Sequence, residues 1–134
     1  MRPLTFALAA LCLVACEAPT QTAQTPSSST ETPKPTRLAA VPPPFHGVWA
    51  ATAEDCDKPA ETRLEISADR LRFYESSGPV ASVDASDPSE ILITVALSGE
   101  GALSRRTFRY RLIDDGQALF DVRNGLRRIR CAAA

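Results

Sequence analysis

The chain is poor in the residue types on which catalysis and metal binding depend. Its 134 residues include a single histidine, His46. That histidine has no nucleophile partner in sequence and sits beside an aromatic strand opening, so it reads as a surface or hydrogen-bonded strand residue and not as a general base. Zinc needs three or four ligands, a set that one histidine and a pair of bonded cysteines do not supply. No Cys-x-x-Cys arrangement is present to suggest a redox couple. The acidic cluster Glu54, Asp55 and Asp57 lacks the alternating oxygen ligands and closing glutamate of a calcium loop, and reads as a solvated turn. No apolar stretch reaches the roughly 20 residues of a membrane-spanning helix, and no long helical period is found. The sequence therefore assigns no catalytic residue, metal or cofactor, and points to a protein that works by contact.

What is present begins at the amino terminus. Met1 and Arg2 precede an apolar run from Leu4 to Val14, and Leu13-Val14-Ala15-Cys16 places a small residue directly before a cysteine. A short positive start, an apolar core and a small residue at the cleavage point make a secretory signal. The segment resembles the start of a bacterial lipoprotein precursor. The resemblance implies cleavage between Ala15 and Cys16, diacylation of Cys16 and usually a third acyl chain on its new amino group. With about 0.8 kcal/mol per buried CH₂, two or three chains hold a protein on the membrane. Glu17, in place of the aspartate that retains such proteins at the inner membrane, favours the outer membrane, with the domain facing the periplasm. The membrane is thus one expected partner, through Cys16. An envelope protein or an anionic lipid or glycan is another, and nucleic acid is not expected in this compartment.

Residues 1–15 are thus read as signal peptide, 16–44 as lipidated cysteine plus tether, and 45–134 as one folded domain. From Ala18 to Pro44 the chain is rich in Pro, Thr, Ser, Gln and Ala, a composition that cannot bury enough apolar surface to offset its ordering entropy. As a disordered tether it would reach on the order of 30 Å. In the domain only Cys56 and Cys131 remain, because Cys12 leaves with the signal and Cys16 carries lipid. In an oxidising compartment they are expected to form a disulfide.

The domain reads as all-β. Ile91, Ile93, Val95 and Leu97 alternate with Leu92, Thr94 and Ala96, and Phe108, Tyr110 and Leu112 alternate with Thr107, Arg109 and Arg111. Leu64 with Ile66, Leu71 with Phe73, Phe120 with Val122, and Ile129 with Cys131 repeat the period over shorter runs. Turn signals separate them at Ser67-Ala68-Asp69, Ser76-Ser77-Gly78-Pro79, Ser86-Asp87-Pro88, Ser98-Gly99-Glu100-Gly101, Asp114-Asp115-Gly116 and Arg123-Asn124-Gly125. Ala53–Lys58 is the one candidate helical turn. The pattern predicts a small antiparallel meander of about seven or eight strands that closes into a barrel or barrel-like sandwich, because closure removes exposed edges.

Phe45-His46-Gly47-Val48-Trp49 is similar to the opening of the lipocalins and their calycin relatives. That resemblance implies that Trp49 plugs one barrel end beneath a basic residue of the last strand, Arg128 or Arg130. Phe-x-Gly-x-Trp, Cys56, Phe73-Tyr74-Glu75-Ser76, Gly99-Glu100-Gly101 and the Arg130-Cys131 ending also resemble a compact domain of alphaproteobacterial envelope proteins, a likeness that implies fold boundaries and no activity.

Charge is segregated along the domain. Acids predominate from Glu54 to Glu100, and arginines from Arg105 to Arg130. If Phe108, Tyr110 and Leu112 point inward, Arg109 and Arg111 point outward, and the same alternation puts Asp121, Arg128 and Arg130 on that outer face. Arg109, Arg111, Arg128 and Arg130 are accordingly the candidate anion- or partner-binding residues, with cross-strand ion pairing as the alternative use. Glu75 shares the parity of Leu71 and Phe73, and Arg106 that of Phe108, so an inward Glu75–Arg106 pair is expected. Two functions are set out: a non-catalytic binding or envelope-maintenance module, and an inhibitor of a lytic enzyme such as lysozyme. The second rests on the similarity of Ser98-Gly99-Glu100-Gly101-Ala102 to the loop that lipoprotein inhibitors of lysozyme insert into its cleft.

Overall fold

In a computed structural model of the chain, residues 34–133 are described. The signal segment, Cys16 and the first part of the tether lie outside the described residues. Nine strands form: β1 (Thr36–Leu38), β2 (Gly47–Ala50), β3 (Leu64–Ile66), β4 (Arg70–Arg72), β5 (Ser77–Asp87), β6 (Glu90–Gly99), β7 (Ala102–Ile113), β8 (Ala118–Asp121) and β9 (Leu126–Arg130). Each strand from β2 to β9 pairs antiparallel with the next, and β9 returns to β2 through Trp49↔Arg130 and Ala50↔Ile129. The predicted meander is thus a closed eight-stranded barrel, with β1 laid along β5 as a ninth strand. The expected helical turn is a short 3-10 segment at Glu54–Cys56.

The interior is filled by alternate residues of every long strand. Trp49, Leu64, Leu71, Val83, Ile91, Ile93, Val95, Tyr110 and Leu119 are fully or almost fully buried, each large side chain contributing roughly 1.5–3 kcal/mol by leaving water. Cys56 and Cys131 are bonded, with Cα atoms 5.6 Å apart and 75 residues between them in sequence. The bridge ties the long β2–β3 loop to the end of β9.

Two boundaries differ from the sequence reading. The ordered domain starts upstream of Phe45: Thr36–Leu38 pair with Val83–Ala85, and Val41 is 2% exposed with its N–H bonded to Ala68 O at 2.9 Å. Leu38 and Val41 supply apolar surface that the prolines around them obscure. Ser77-Gly78-Pro79, expected as part of a turn, opens the long strand β5. A Cβ on Gly78 would lie 1.9 Å from Ala96 O, so glycine there serves close strand packing. Pro79 precedes a register shift between Val80 and Ser82 in the β5–β6 ladder, where a missing N–H is tolerated.

Candidate functional site at the open end of the barrel

The two barrel ends are built differently. One is sealed. Phe45 and Trp49 are fully buried there, and Trp49 Nε1 donates to Phe45 O at 3.0 Å. Arg130 covers the indole with its guanidinium 4.1 Å from the ring centroid, and it donates to Pro44 O, His46 O and Gly116 O at 2.6–3.2 Å. Of the two arginines that the calycin-like opening implied, Arg130 is the cover. Gly47 is explained in the same place, because its φ of +128° favours glycine and a Cβ would come within 3.3 Å of Arg130 Nη1. His46 Nε2 donates to Val41 O at 2.7 Å and so helps to fix the segment that caps this end.

The other end is open. A cavity of about 600 Å³ is lined there by Phe73, Leu97, Ser104, Arg106, Phe108, Asp121 and Arg128, with Glu61, Glu75 and Glu100 at its rim. Four connections frame it. The β2–β3 loop is organised by Thr62, whose hydroxyl donates to Asp55 Oδ2 at 2.8 Å and accepts from Ala51 N at 3.3 Å. The β4–β5 connection, Phe73–Ser76, packs on the end of β6, where a Cβ on Gly99 would lie 2.6 Å from Glu75 O. The β6–β7 hairpin turns on Glu100 and Gly101, both at positive φ as a two-residue hairpin loop requires. The β8–β9 turn is held by Asp121: Oδ1 accepts from Arg123 N and Asn124 N at 3.1 and 3.2 Å, and Oδ2 from Asn124 Nδ2 at 3.0 Å. Phe73-Tyr74-Glu75-Ser76 and Gly99-Glu100-Gly101, far apart in sequence, therefore meet at one rim.

An aromatic run leads inward from this mouth. Phe73 and Phe108 have centroids 5.0 Å apart, and Phe108 stacks on Tyr110 at 5.8 Å with ring planes 5° apart. Below it lie the polar groups of the interior. Arg128 is 5% exposed and Asp121 1%. Arg128 Nε donates to Thr62 O at 2.7 Å, whereas its Nη1 and the Tyr110 hydroxyl are buried without a hydrogen-bond partner. Desolvation lowers the Arg128 pKa and raises that of Tyr110 well above the ordinary phenol value, while each lies close enough to the other and to Asp121 to feel their charges.

The four candidate arginines do not share a face. Arg109 and Arg111 point outward as expected, and both are engaged by Glu90: Arg111 Nε and Nη2 reach Oε2 at 2.7 and 2.5 Å, and Arg109 Nε lies 3.7 Å from Oε1. Arg130 belongs to the sealed end. Asp121 and Arg128, expected outside, point inward. The register explains the reversal: Tyr110 pairs with Asp121, and Leu112 with Leu119, which pairs in turn with Arg128. Parity counted along one strand does not carry across a connection whose length sets the next strand's phase. The outward positions of β8 and β9 include Phe120, which is half-buried and pairs with Arg111 and Arg127 in the ladder.

Glu75 and Arg106 both line the mouth but are exposed and form no ion pair with each other. Asp55 pairs weakly with Lys58 at 3.9 Å, and no group of three or more metal-ligating side chains occurs among the described residues. Nor, among those residues, is any helix long and apolar enough to cross a membrane. The mouth's buried Asp121–Arg128 floor escaped the sequence reading. A charged pair in short strands at the domain's end was its only trace. In comparisons with known proteins, no family model, curated protein or solved structure matches the chain.

Proposed function

We propose that the protein is a lipoprotein of the outer membrane, anchored through acylated Cys16 and facing the periplasm, whose barrel works as a non-catalytic binding module through its open end. The observation that carries the binding reading is the contrast between the ends: one is sealed by Trp49 under Arg130, the other holds a cavity over a buried arginine with an unused donor. Ligand pockets of a few hundred cubic ångströms, mostly apolar with a few placed polar groups, are the usual form of such sites. A tether lets the mouth face partners away from the bilayer surface.

The test is native mass spectrometry of the protein gently extracted from its own membrane, beside a Ser104→Trp variant whose indole fills the mouth from an exposed position. A bound mass present in the parent and lost in the variant is expected. Each protein found only at its own unliganded mass would sink the reading.

A second reading has its own support. Leu103, 83% exposed, stands beside the Glu100-Gly101 turn at the tip of the β6–β7 hairpin, a shape suited to insertion into an enzyme cleft such as that of lysozyme. Titration of lysozyme activity with the protein separates the two: stoichiometric inhibition abolished by Leu103→Asp would favour the inhibitor.

A further inference from the structure

Resting on the binding reading, we propose that the free edge of β7 beside the mouth takes an extended segment of a protein partner as an added antiparallel strand. The segment carries carboxylates on its outer face and apolar side chains on its inner face.

Unequal strand lengths leave this edge. β7 has 12 residues, but β8 pairs only with Tyr110–Ile113, and beyond them Val122 N donates to Arg109 O at 3.0 Å. Alternate residues of an antiparallel strand turn their N–H and C=O toward the same neighbour. Those of Leu103, Arg105 and Thr107 therefore point, like Arg109 O, away from β6. Among the described residues no backbone group meets them there, and Ala102–Thr107 are exposed. Arg123 Nη1 alone reaches Thr107 O, at 3.4 Å from an exposed side chain. β5 has a similar overhang that is filled. β4 pairs with Ser77–Pro79, and β1 continues along the same edge at Val83–Ala85, with Arg37 on Asp84 at 2.8 Å. A short extended segment held by a cross-strand ion pair thus completes one such edge of this fold, and the edge of β7 calls for the same kind of occupant.

The two faces of the edge fix the chemistry of that occupant. Outward, Leu103, Arg105 and Thr107 lie opposite Ser98, Ala96 and Thr94, so no acid stands across from Arg105. Arg105 and Arg123 line one recess beside the edge, and neither forms an ion pair among the described residues. Glu90, the one acid of β6, is engaged by Arg109 and Arg111. A carboxylate on an added strand, laid opposite Arg105, meets a guanidinium with no other anion on it. Inward the sign differs. Arg106 shares the mouth with Glu61, Glu75 and Glu100, which disfavour a further acid, whereas Phe73 and Phe108 offer apolar contact. A second copy pairing β7 on β7 would bring the arginines of both strands along one ribbon, and like charges on an edge oppose such pairing. The occupant is therefore a different chain, alternating acidic and apolar residues, recognised by main-chain hydrogen bonds and side-chain charge.

The probes are an end-blocked peptide, Thr-Val-Glu-Val-Glu-Val-Thr, its counterpart with lysine for both glutamates, and the glutamate peptide N-methylated at both glutamates, whose N–H groups would face β7. Each is titrated into the full chain carrying Cys16→Ser, with amide hydrogen exchange followed by NMR. In the free protein, exchange should be faster at Leu103, Arg105 and Thr107 than at Ser104 and Arg106, which face β6. The glutamate peptide should slow the first three, bind about tenfold or more tightly than the lysine peptide, and lose its binding on N-methylation. Arg105→Glu, at an exposed position, should reverse the preference between the two charged peptides; an unchanged preference would overturn the placement opposite Arg105. Equal binding of the N-methylated peptide would reduce the contact to charge attraction and overturn the added strand. Slow exchange at the three edge amides before any peptide is added would overturn the partner: the occupant is then a second copy if dilution restores exchange, and the chain's own residues if it does not. If no peptide binds, the inference falls, and the binding reading is still judged by the bound mass from the membrane extract.

Discussion

The guanidinium of Arg130 lies 4.1 Å above the indole of Trp49 and hydrogen-bonds three backbone carbonyls around it. One side chain thus closes the barrel end where the last strand meets the first. Arg130→Ala removes a cation–π contact and leaves several carbonyls without donors, and should destabilise the domain by about 3 kcal/mol. Arg130→Lys keeps the charge without the planar fork and should recover less than half of that loss. Urea unfolding followed by Trp49 fluorescence measures both; an unchanged midpoint for Arg130→Ala would show that the plug is not structural.

The Cys56–Cys131 bridge spans 75 residues of sequence, and on the chain-entropy account such a closure stabilises by roughly 4 kcal/mol. The double variant Cys56→Ser with Cys131→Ser should lose about that much in chemical denaturation. Alkylation of the unreduced protein should label neither cysteine; labelling of both would contradict the bridge.

Glycines separate into two kinds. Gly78→Ala forces a Cβ to 1.9 Å from Ala96 O, a backbone atom, and should cost about 2 kcal/mol or more through strand displacement. Gly101→Ala meets no neighbour within 4 Å and strains only its φ of +77°, at about 1 kcal/mol. Thermal unfolding of the two variants should rank them in that order, and the reverse ranking would mean that β5 and β6 separate easily at Gly78.

Alkaline pH should expose the buried phenol. Burial raises the Tyr110 pKa above its ordinary value of 10.0. Above about pH 10 the unfolded chain releases this proton and the native state does not, so the unfolded state binds fewer protons and stability falls with rising pH, by about 1.4 kcal/mol per unit. Tyr110→Phe should flatten that decline. At neutral pH the same variant should be neutral or slightly stabilising, because the hydroxyl it removes has no partner. A Phe variant with an unaltered alkaline profile would show that Tyr110 is not the group responsible.

Lipidation is open to direct test. Growth with labelled palmitate should mark the parent and leave Cys16→Ser unmarked; label retained by the variant would place the anchor elsewhere.

Period-two alternation in Ile91–Leu97 and Phe108–Leu112 was enough to predict strands, turns and the all-β class, since a half-buried strand has to repeat every second residue. The disulfide followed from how few cysteines the domain has. Harder to read were Thr36–Val41, where prolines mask a short strand and a buried valine, and Ser77–Pro79, whose turn-like composition answers to close strand packing instead.

The chain itself determined local conformation: which residues extend, where the backbone turns, and that Gly47 and Trp49 begin a strand. Tertiary structure alone decided which way β8 and β9 face, because their phase depends on pairing with β7 across turns whose geometry is set by Asp121 and Gly116. That choice turned Asp121 and Arg128 into the barrel, took Arg130 to the seal over Trp49, and left Arg109 and Arg111 outside on Glu90. Alternation is a property of one strand, whereas a binding site is made by the register among several.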